Sequence, residues 1–272
     1  MLIKTLLVGD LHLKAELILP IVESKMQELD CQQVIFLGDY VDDWDQQRNT
    51  DVYLRDLDFL IQWKERMTDN GLHIINLLGN HDAPYLIDEP RAYSLQIYSG
   101  FKLVRDRLNA LDLQVAFQLD SFLISHAGYC WGQEVEARHF EALTLADIEM
   151  ISELEDHVGI GRGGRYWVGS PIWADYNLEL TSQPNPKYLK QIVGHTPRQN
   201  VNLDADNQYE IYGIDTFSMS GSGDAPYYKF IGDGSLLMYD DQKEDLTAVH
   251  TEWQSPETTD KLLAIRGIQN NN

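Results

Sequence analysis

The chain has 272 residues, 43% hydrophobic and 24% charged, enough to bury one sizeable core without requiring a second domain. Asp and Glu outnumber Lys and Arg by 43 to 21, for a net charge of -22, which argues against routine nucleic-acid binding because such binding relies on cationic side chains neutralising phosphates. No apolar run is long enough to span a membrane, the first residues lack a signal-peptide pattern, and the two cysteines, Cys31 and Cys130, sit at no disulfide or zinc spacing, so a cytoplasmic protein is expected.

In chain order, the apolar periodicities predict a strand at 2–8, a helix at 15–29, a strand at 34–37, a helix at 51–69, a strand at 73–78 and a helix near 91–109. This βαβαβα run is the pattern of a sheet covered by helices. Short apolar runs follow at 113–118 and 121–125 around Asp120, then at 191–193 and 209–214, and a hairpin is expected between 227–231 and 235–239, turned by Gly232-Asp233-Gly234. These would supply a second sheet. One domain is expected over 1–250, with 129–190 as a cap or insertion within it. Residues 251–272 read as a polar C-terminal tail, frayed at Asn270-Asn271-Asn272. Acidic groups at 42–45, 134–155, 204–206 and 240–245 read as solvated surface, Asp42 apart.

Five segments place Asp, Asn or His directly after apolar runs: Gly9-Asp10-Leu11-His12, Gly38-Asp39-Tyr40-Val41-Asp42, Gly79-Asn80-His81-Asp82, Ser125-His126-Ala127-Gly128 and Val193-Gly194-His195-Thr196-Pro197. Strand ends are where turns lift side chains into a cleft. One such segment alone would be an ordinary turn; five in this order point to a shared site. Carboxylate, amide carbonyl and imidazole together suit Mn, Fe or Zn. The i, i+2 spacing of Asp10 and His12 turns both to one side of an extended backbone, so one ion can take both. Asp39 is the natural bridge to a second ion, completed by Asn80, His126 and His195. Two ions about 3.5–4 Å apart can hold a hydroxide and polarise a phosphoryl oxygen for in-line displacement. His81 is then placed to protonate the leaving group, with Asp42 orienting its imidazole.

The five segments resemble those of the calcineurin-like metallophosphoesterases, most closely the branch of Ser/Thr protein phosphatases and diadenosine tetraphosphate hydrolases, over positions 5 to about 217. The resemblance implies an α/β fold of two mixed β-sheets packed as a sandwich and flanked by helices, with the ligands along one edge. It also implies two divalent ions, manganese before iron or zinc, on Asp10, His12, Asp39, Asn80, His126 and His195. The general acid falls on His81 and its supporting carboxylate on Asp42.

The departures bear on substrate. Protein phosphatases of this family usually have Gly where this chain has Leu13, Arg-Gly where it has Asp43-Trp44, and Arg where it has Leu78. Two guanidiniums that would clamp phosphate bidentately are therefore missing. Asp82, in place of the usual Glu, and His126-Ala127-Gly128 look more like the dinucleoside polyphosphate hydrolases and small bacterial phosphatases. The segment Gly159-Ile160-Gly161-Arg162-Gly163-Gly164-Arg165 matches a dinucleotide fingerprint by letter, but it follows an acidic helical run and no strand, so it reads as a hinge or linker. Its Arg162 and Arg165 are the candidate replacement phosphate ligands. An insertion at 129–190 would lie over or beside the metals, and Trp44, Trp167, Trp173 and Tyr176 are candidates to stack a base or phenol ring. The expected activity is hydrolysis of a phosphomonoester on a small molecule, nucleotide or phosphoprotein. The alternatives are a dinucleoside polyphosphate hydrolase and a non-catalytic metal-binding scaffold.

Overall fold

The computed structural model describes residues 3–205, 208–221 and 228–266. The first half builds β1 (Lys4–Val8), α1 (Ala15–Leu29), β2 (Gln33–Phe36), α2 (Thr50–Asp69), β3 (His73–Asn76), α3 (Ala83–Leu86) and α4 (Tyr98–Asn109). β1, β2 and β3 run parallel, with Leu7 opposite Ile35 and Ile35 opposite Ile75. Strand alternation divides their side chains between two cores. Leu6, Val8, Val34 and Phe36 pack beneath the helices with Ile18, Val22, Leu57 and Leu60, while Leu7, Ile35 and Ile75 face inward. Each such side chain, fully buried, contributes roughly 1.5–3 kcal/mol.

The second half builds β4 (Ala116–Leu119), β5 (Phe122–Ser125), α5 (Ile148–Asp156), β6 (Lys190–Val193), β7 (Asn202–Ala205), β8 (Glu210–Gly213), β9 (Met219–Gly221), β10 (Tyr228–Phe230), β11 (Leu236–Asp240), β12 (Asp245–Val249) and α6 (Pro256–Ile265). Two mixed sheets of order β12-β11-β1-β2-β3 and β4-β5-β6-β8-β7 result. Their inner faces meet through Leu7, Ile35 and Leu237 on one side and Phe122, Ile124 and Ile192 on the other. The fold is thus the sandwich flanked by helices that the motifs imply. No helix of the described residues is long and apolar enough to cross a membrane.

Three expectations are corrected. The hairpin of 227–231 with 235–239 does not form: β10 pairs with β9, and β11 lies between β1 and β12 (residue 227 is outside the described residues). Gly232 and Gly234 instead let the chain press against Thr216 and Trp253, since a Cβ on Gly232 would stand 1.9 Å from the Thr216 carbonyl oxygen. The helix near 91–109 begins only at Tyr98, because the preceding backbone is tied elsewhere, Leu95 N–H to the Tyr85 hydroxyl and Gln96 N–H to the Gln47 carbonyl. Residues 251–266 are not a loose tail. Trp253 is buried, Ser255 caps α6 by accepting the Thr258 N–H, and Leu262 joins the main core. The fraying expected at Asn270-Asn271-Asn272 and the acidic side chains at 204–206 lie outside the described residues.

Candidate dinuclear metal centre and active-site cleft

The ligand-bearing loops sit at strand ends in backbone conformations that L-residues seldom adopt. His12, Leu13, Asp39, Asp42 and His195 have φ of 43°, 55°, 53°, 60° and 61°. Such positions cost of order 1–3 kcal/mol each and persist only where the surroundings over-determine them. Leu13, standing where the family's phosphatases have Gly, offsets its strain by burying its side chain in the core. Two glycines are required by close approach: a Cβ on Gly79 would lie 2.1 Å from Asp39 Oδ1, and one on Gly194 would lie 2.3 Å from Asp10 Oδ1.

Two carboxylates outside the ligand set hold these loops. Asp82, fully buried, accepts the N–H groups of Asp39 (2.8 Å) and Gly79 (3.0 Å) on one oxygen and that of Tyr40 (3.0 Å) on the other. Asp56 of α2 accepts the first N–H groups of α1, from Ala15 and Glu16, and so caps a helix that has no local capping side chain. That fixes the turn carrying Asp10 and His12.

The predicted ligands converge. Asp39 Oδ2 lies 3.6 Å from His12 Nε2 and 3.4 Å from His126 Nε2, while Asp10 Oδ2 lies 3.9 Å from His12 Nε2. His126 Nε2 is 3.0 Å from Asn80 Oδ1 and 3.2 Å from His195 Nδ1. The ligand atoms of Asp39, His126 and His195 all lie within 4.8 Å of one another, as do those of His12, Asp39 and His81. Asp39 belongs to both groups, as a bridge must.

The hydrogen bonds around the rings show that this convergence suits a cation. His12 Nδ1 faces the carbonyls of Val41 and Asp42, and His126 Nδ1 faces that of Leu37 at 2.7 Å. A carbonyl can only accept, so each Nδ1 carries a proton, and in the neutral ring Nε2 is left to bind a cation, the orientation metal-bound imidazoles adopt. His126 Nε2 faces the Asp39 carboxylate, the Asn80 carbonyl and His195 Nδ1. Burial lowers His12 to about 4 against the pull of Asp39, and burial and Arg162 hold His195 well below the usual imidazole range, so both are neutral donors. Burial opposes charge on His126 as well, but Asp39 and Asp10 lift it to about 10. The centre is thus a place where the surrounding carboxylates favour positive charge, and the donor set fits two divalent ions.

His81 stands beside this centre. Its Nδ1 is 3.0 Å from Asp42 Oδ2, its backbone N–H donates to Asp39 Oδ1, and its ring is partly open to the cleft. Asp42 is itself fixed by the hydroxyls of Tyr53 (2.8 Å) and Tyr85 (2.6 Å), both donating to Oδ1. Burial works against the imidazolium, but Asp39 and Asp42 outweigh it and raise His81 to about 9.

These groups open into a cleft of ≈ 420 Å³ whose wall includes Trp44, Tyr93, Trp173, Pro197, Met219 and Ile231. Arg162 lines it too. Its Nη2 donates to Thr196 Oγ1 at 2.6 Å, and its Nε lies 3.2 Å from Asp175 Oδ2. Arg165 does not: it is exposed and lies against the ring and hydroxyl of Tyr166. Among the aromatic candidates, Trp44 and Trp173 reach the cleft, whereas Trp167 is exposed elsewhere and Tyr176 is buried beneath the Arg198 guanidinium. Lys14 reaches the cleft as a buried cation, donating to the His12 carbonyl 3.0 Å away and standing 3.7 Å from Asp43, which also pairs with Arg266.

Compared with protein-family models, the sequence matches calcineurin-like phosphoesterase over residues 3–199. The chain belongs to the calcineurin-like phosphoesterase family. Members of this family typically hold two divalent metals, which agrees with the two ligand groups sharing Asp39. The phosphoesterase resembles a cold-active protein tyrosine phosphatase with a TM-score of 0.55 and 16% identity, over 93% of this chain and 80% of that one. A cold-active protein tyrosine phosphatase of a psychrophilic Shewanella species gives 0.50 and 16%, over 92% and 81%. At these identities the likeness bears on the fold alone. A putative diadenosine tetraphosphatase covers 93% of this chain and 95% of its own at 15% identity, with a TM-score of 0.43 that carries no argument. Among curated proteins no sequence match reaches significance.

Several residues that shape the phosphoesterase site have roles that no motif assigns. Asp82 follows His81 in sequence, yet nothing local says that it binds the Asp39 loop. Tyr53 and Tyr85 sit at buried helical positions and read as core. Asp215 and Ser218 line the cleft after β8, and the Ser218 hydroxyl donates to the Asp215 carboxylate at 2.7 Å.

Proposed function

We propose that this phosphoesterase is a dinuclear metal-dependent phosphomonoesterase, with manganese as the working ion. The observation that carries the reading is Asp39 Oδ2, set between His12 Nε2 and His126 Nε2 at 3.6 and 3.4 Å and next to the Asp42–His81 pair. Asp10, His12 and Asp39 would hold one ion, and Asp39, Asn80, His126 and His195 the other. Such ions, when bound, polarise a phosphoryl oxygen and acidify a water. Asp42 holds His81 in one orientation, and His81 gives its proton to the departing oxygen. Arg162 offers its guanidinium to the phosphoryl oxygens in the role of the missing clamps. The full set of ligands and the acid favours an enzyme over a scaffold, and the isolated thiols Cys31 and Cys130 suit the cytoplasm.

A monoester is preferred to a dinucleoside polyphosphate on charge. Arg162 is the one guanidinium lining the cleft among the described residues, and Lys14 is engaged by Asp43. A chain of four phosphates would find little beyond the metals to neutralise it and would face Asp43 and Asp215. The test is to incubate the manganese-loaded protein with a phosphopeptide, an aryl phosphomonoester, an aryl phosphodiester and diadenosine tetraphosphate, and to identify each product by mass. Phosphate released from the monoesters, and lost in His81→Ala, is the expected result. Symmetric cleavage of the dinucleotide alone would replace this reading with the polyphosphate one.

A further inference from the structure

Trp44 stands two residues after Asp42, where the family's protein phosphatases usually have Gly, and it lines the cleft with Asp39, Asp42, Asn80 and His81. It is held from several sides. Its indole N–H donates to the Met219 carbonyl at 2.9 Å, its backbone N–H donates to Asp43 Oδ1 at 2.7 Å, and its carbonyl accepts from the Tyr228 hydroxyl at 3.3 Å. β9 backs the ring, since a Cβ on Gly221 would stand 3.0 Å from Trp44 Cγ and 3.2 Å from Cδ2. Yet Trp44 is 55% exposed, whereas Trp173, which lines the same cleft, is packed against the main core and gives its indole N–H to Glu155. An indole fixed in this way and left open in a cleft is a preorganised surface for another ring. Met219 and Ile231 extend the apolar lining.

Resting on the phosphomonoesterase reading, we infer that Trp44 determines specificity for aryl phosphomonoesters, phosphotyrosine among them, by stacking on the ring of the leaving group. His81 gives its proton to the leaving oxygen and is held by Asp42 at 3.0 Å. The chain runs from Asp42 to Trp44 within two residues, so the indole belongs to the wall on the leaving-group side of the phosphorus. An aryl ester carries its ring directly on the oxygen that His81 protonates. A nucleotide's base is separated from that oxygen by the sugar, and a serine ester offers no ring at all. The stacked ring takes no part in the bond changes, so the contact is made about equally in the bound ester and in the transition state, and it acts on binding more than on turnover.

The experiment measures kcat and KM of the manganese-loaded wild type, Trp44→Ala, Trp44→Leu and Trp44→Phe on phosphotyrosine, phosphoserine and adenosine 5′-monophosphate, with thermal unfolding as the check on folding. Trp44→Ala should raise KM for phosphotyrosine roughly three- to tenfold with kcat nearly unchanged, and leave KM for phosphoserine as in wild type. Trp44→Leu, which keeps apolar bulk without a ring, should behave like the alanine variant, and Trp44→Phe should stay near wild type. Benzylphosphonate, with a methylene in place of the ester oxygen, should inhibit the alanine and leucine variants less well by the same factor, and ethylphosphonate should inhibit all four proteins alike. Equal changes for phosphotyrosine and phosphoserine would show that Trp44 only shapes the loop carrying Asp42, and a larger change for the nucleotide would make the indole a base platform. Either result, or no change at all, overturns the assignment of Trp44 while leaving the phosphomonoesterase reading intact. A wild-type protein that releases phosphate from none of the three overturns both.

Discussion

The Asp82 carboxylate accepts the backbone N–H of Asp39 at 2.8 Å, so a residue beside one ligand segment fixes the backbone of another. Because Asp82 also takes the N–H groups of Gly79 and Tyr40, the second and third segments share one buried anchor.

Asp82→Ala leaves three buried N–H groups unsatisfied and should cost about 3–5 kcal/mol of stability, read by denaturant unfolding. Metal affinity should fall with it, since Asp39 would lose the restraint on its left-handed backbone. Asp82→Asn, with one accepting oxygen left, should lie between. Wild-type stability in Asp82→Ala would show that the loops hold their shape without the anchor.

Asp39→Asn keeps the shape of the bridging side chain and removes its charge. Elemental analysis should then find fewer than two ions per chain, and phosphomonoester hydrolysis should fall on the order of a thousandfold. Chelation of the wild-type protein should abolish activity, and added manganese should restore it. Two tightly held ions and full rate in Asp39→Asn would rule out the bridging role.

In the proposed mechanism the His81 imidazole acts in its protonated form, so kcat/KM should fall as pH rises through its pKa. Burial lowers that pKa, and Asp39 and Asp42 raise it further, to about 9. Divalent ions beside Asp39 would offset part of its pull, so the alkaline limb of the loaded enzyme should lie below 9. Removing the Asp42 charge takes away support for the imidazolium, and Asp42→Asn should move the limb to lower pH. His81→Ala should erase the limb and cost roughly 10²–10⁴-fold, most for poor leaving groups. An unchanged limb in Asp42→Asn would mean that another group sets it.

The convergence of the candidate ligands was legible because each follows an apolar run and a turn, so the local pattern itself marks a strand end: Val8-Gly9-Asp10 and Val193-Gly194-His195 are examples. The parallel strands β1, β2 and β3 were legible for the same reason, and the helix expected at 15–29 is found as Ala15–Leu29. What failed depends on distant partners. The glycines at 232 and 234 look like a hairpin turn but serve close packing on Thr216 and Trp253, and β11 finds β1, more than two hundred residues away. The start of α6 was written locally in Ser255-Pro256-Glu257, yet its polar composition hid a helix whose inner face buries Leu262 and Leu263. The anchoring roles of Asp82, Tyr53 and Tyr85 were not legible, since hydrogen bonds from Asp39 to Asp82 and from Tyr53 and Tyr85 to Asp42 join separate segments and leave no local spacing to read.

Arg162 and Arg165 were indistinguishable in sequence, and the fold separates them. Glu179, buried, accepts the N–H groups of Gly161 (2.7 Å), Gly169 (2.7 Å) and Asp175 (3.2 Å), which ties the glycine-rich turn to the short helical segment after it. That knot holds Arg162 at the cleft, and Gly159 serves it too, because a Cβ there would stand 2.1 Å from Glu179 Oε1. Arg162→Ala should therefore raise KM for phosphomonoesters roughly ten- to a hundredfold, and weaken inhibition by inorganic phosphate by a similar factor. Arg162→Lys should recover only part, since an ammonium lacks the planar fork. Arg165→Ala, altering an exposed side chain stacked on Tyr166, should leave both constants unchanged. Equal losses in the two alanine variants would mean that the turn moves as a unit over the site and that Arg162 has no contact of its own with phosphate.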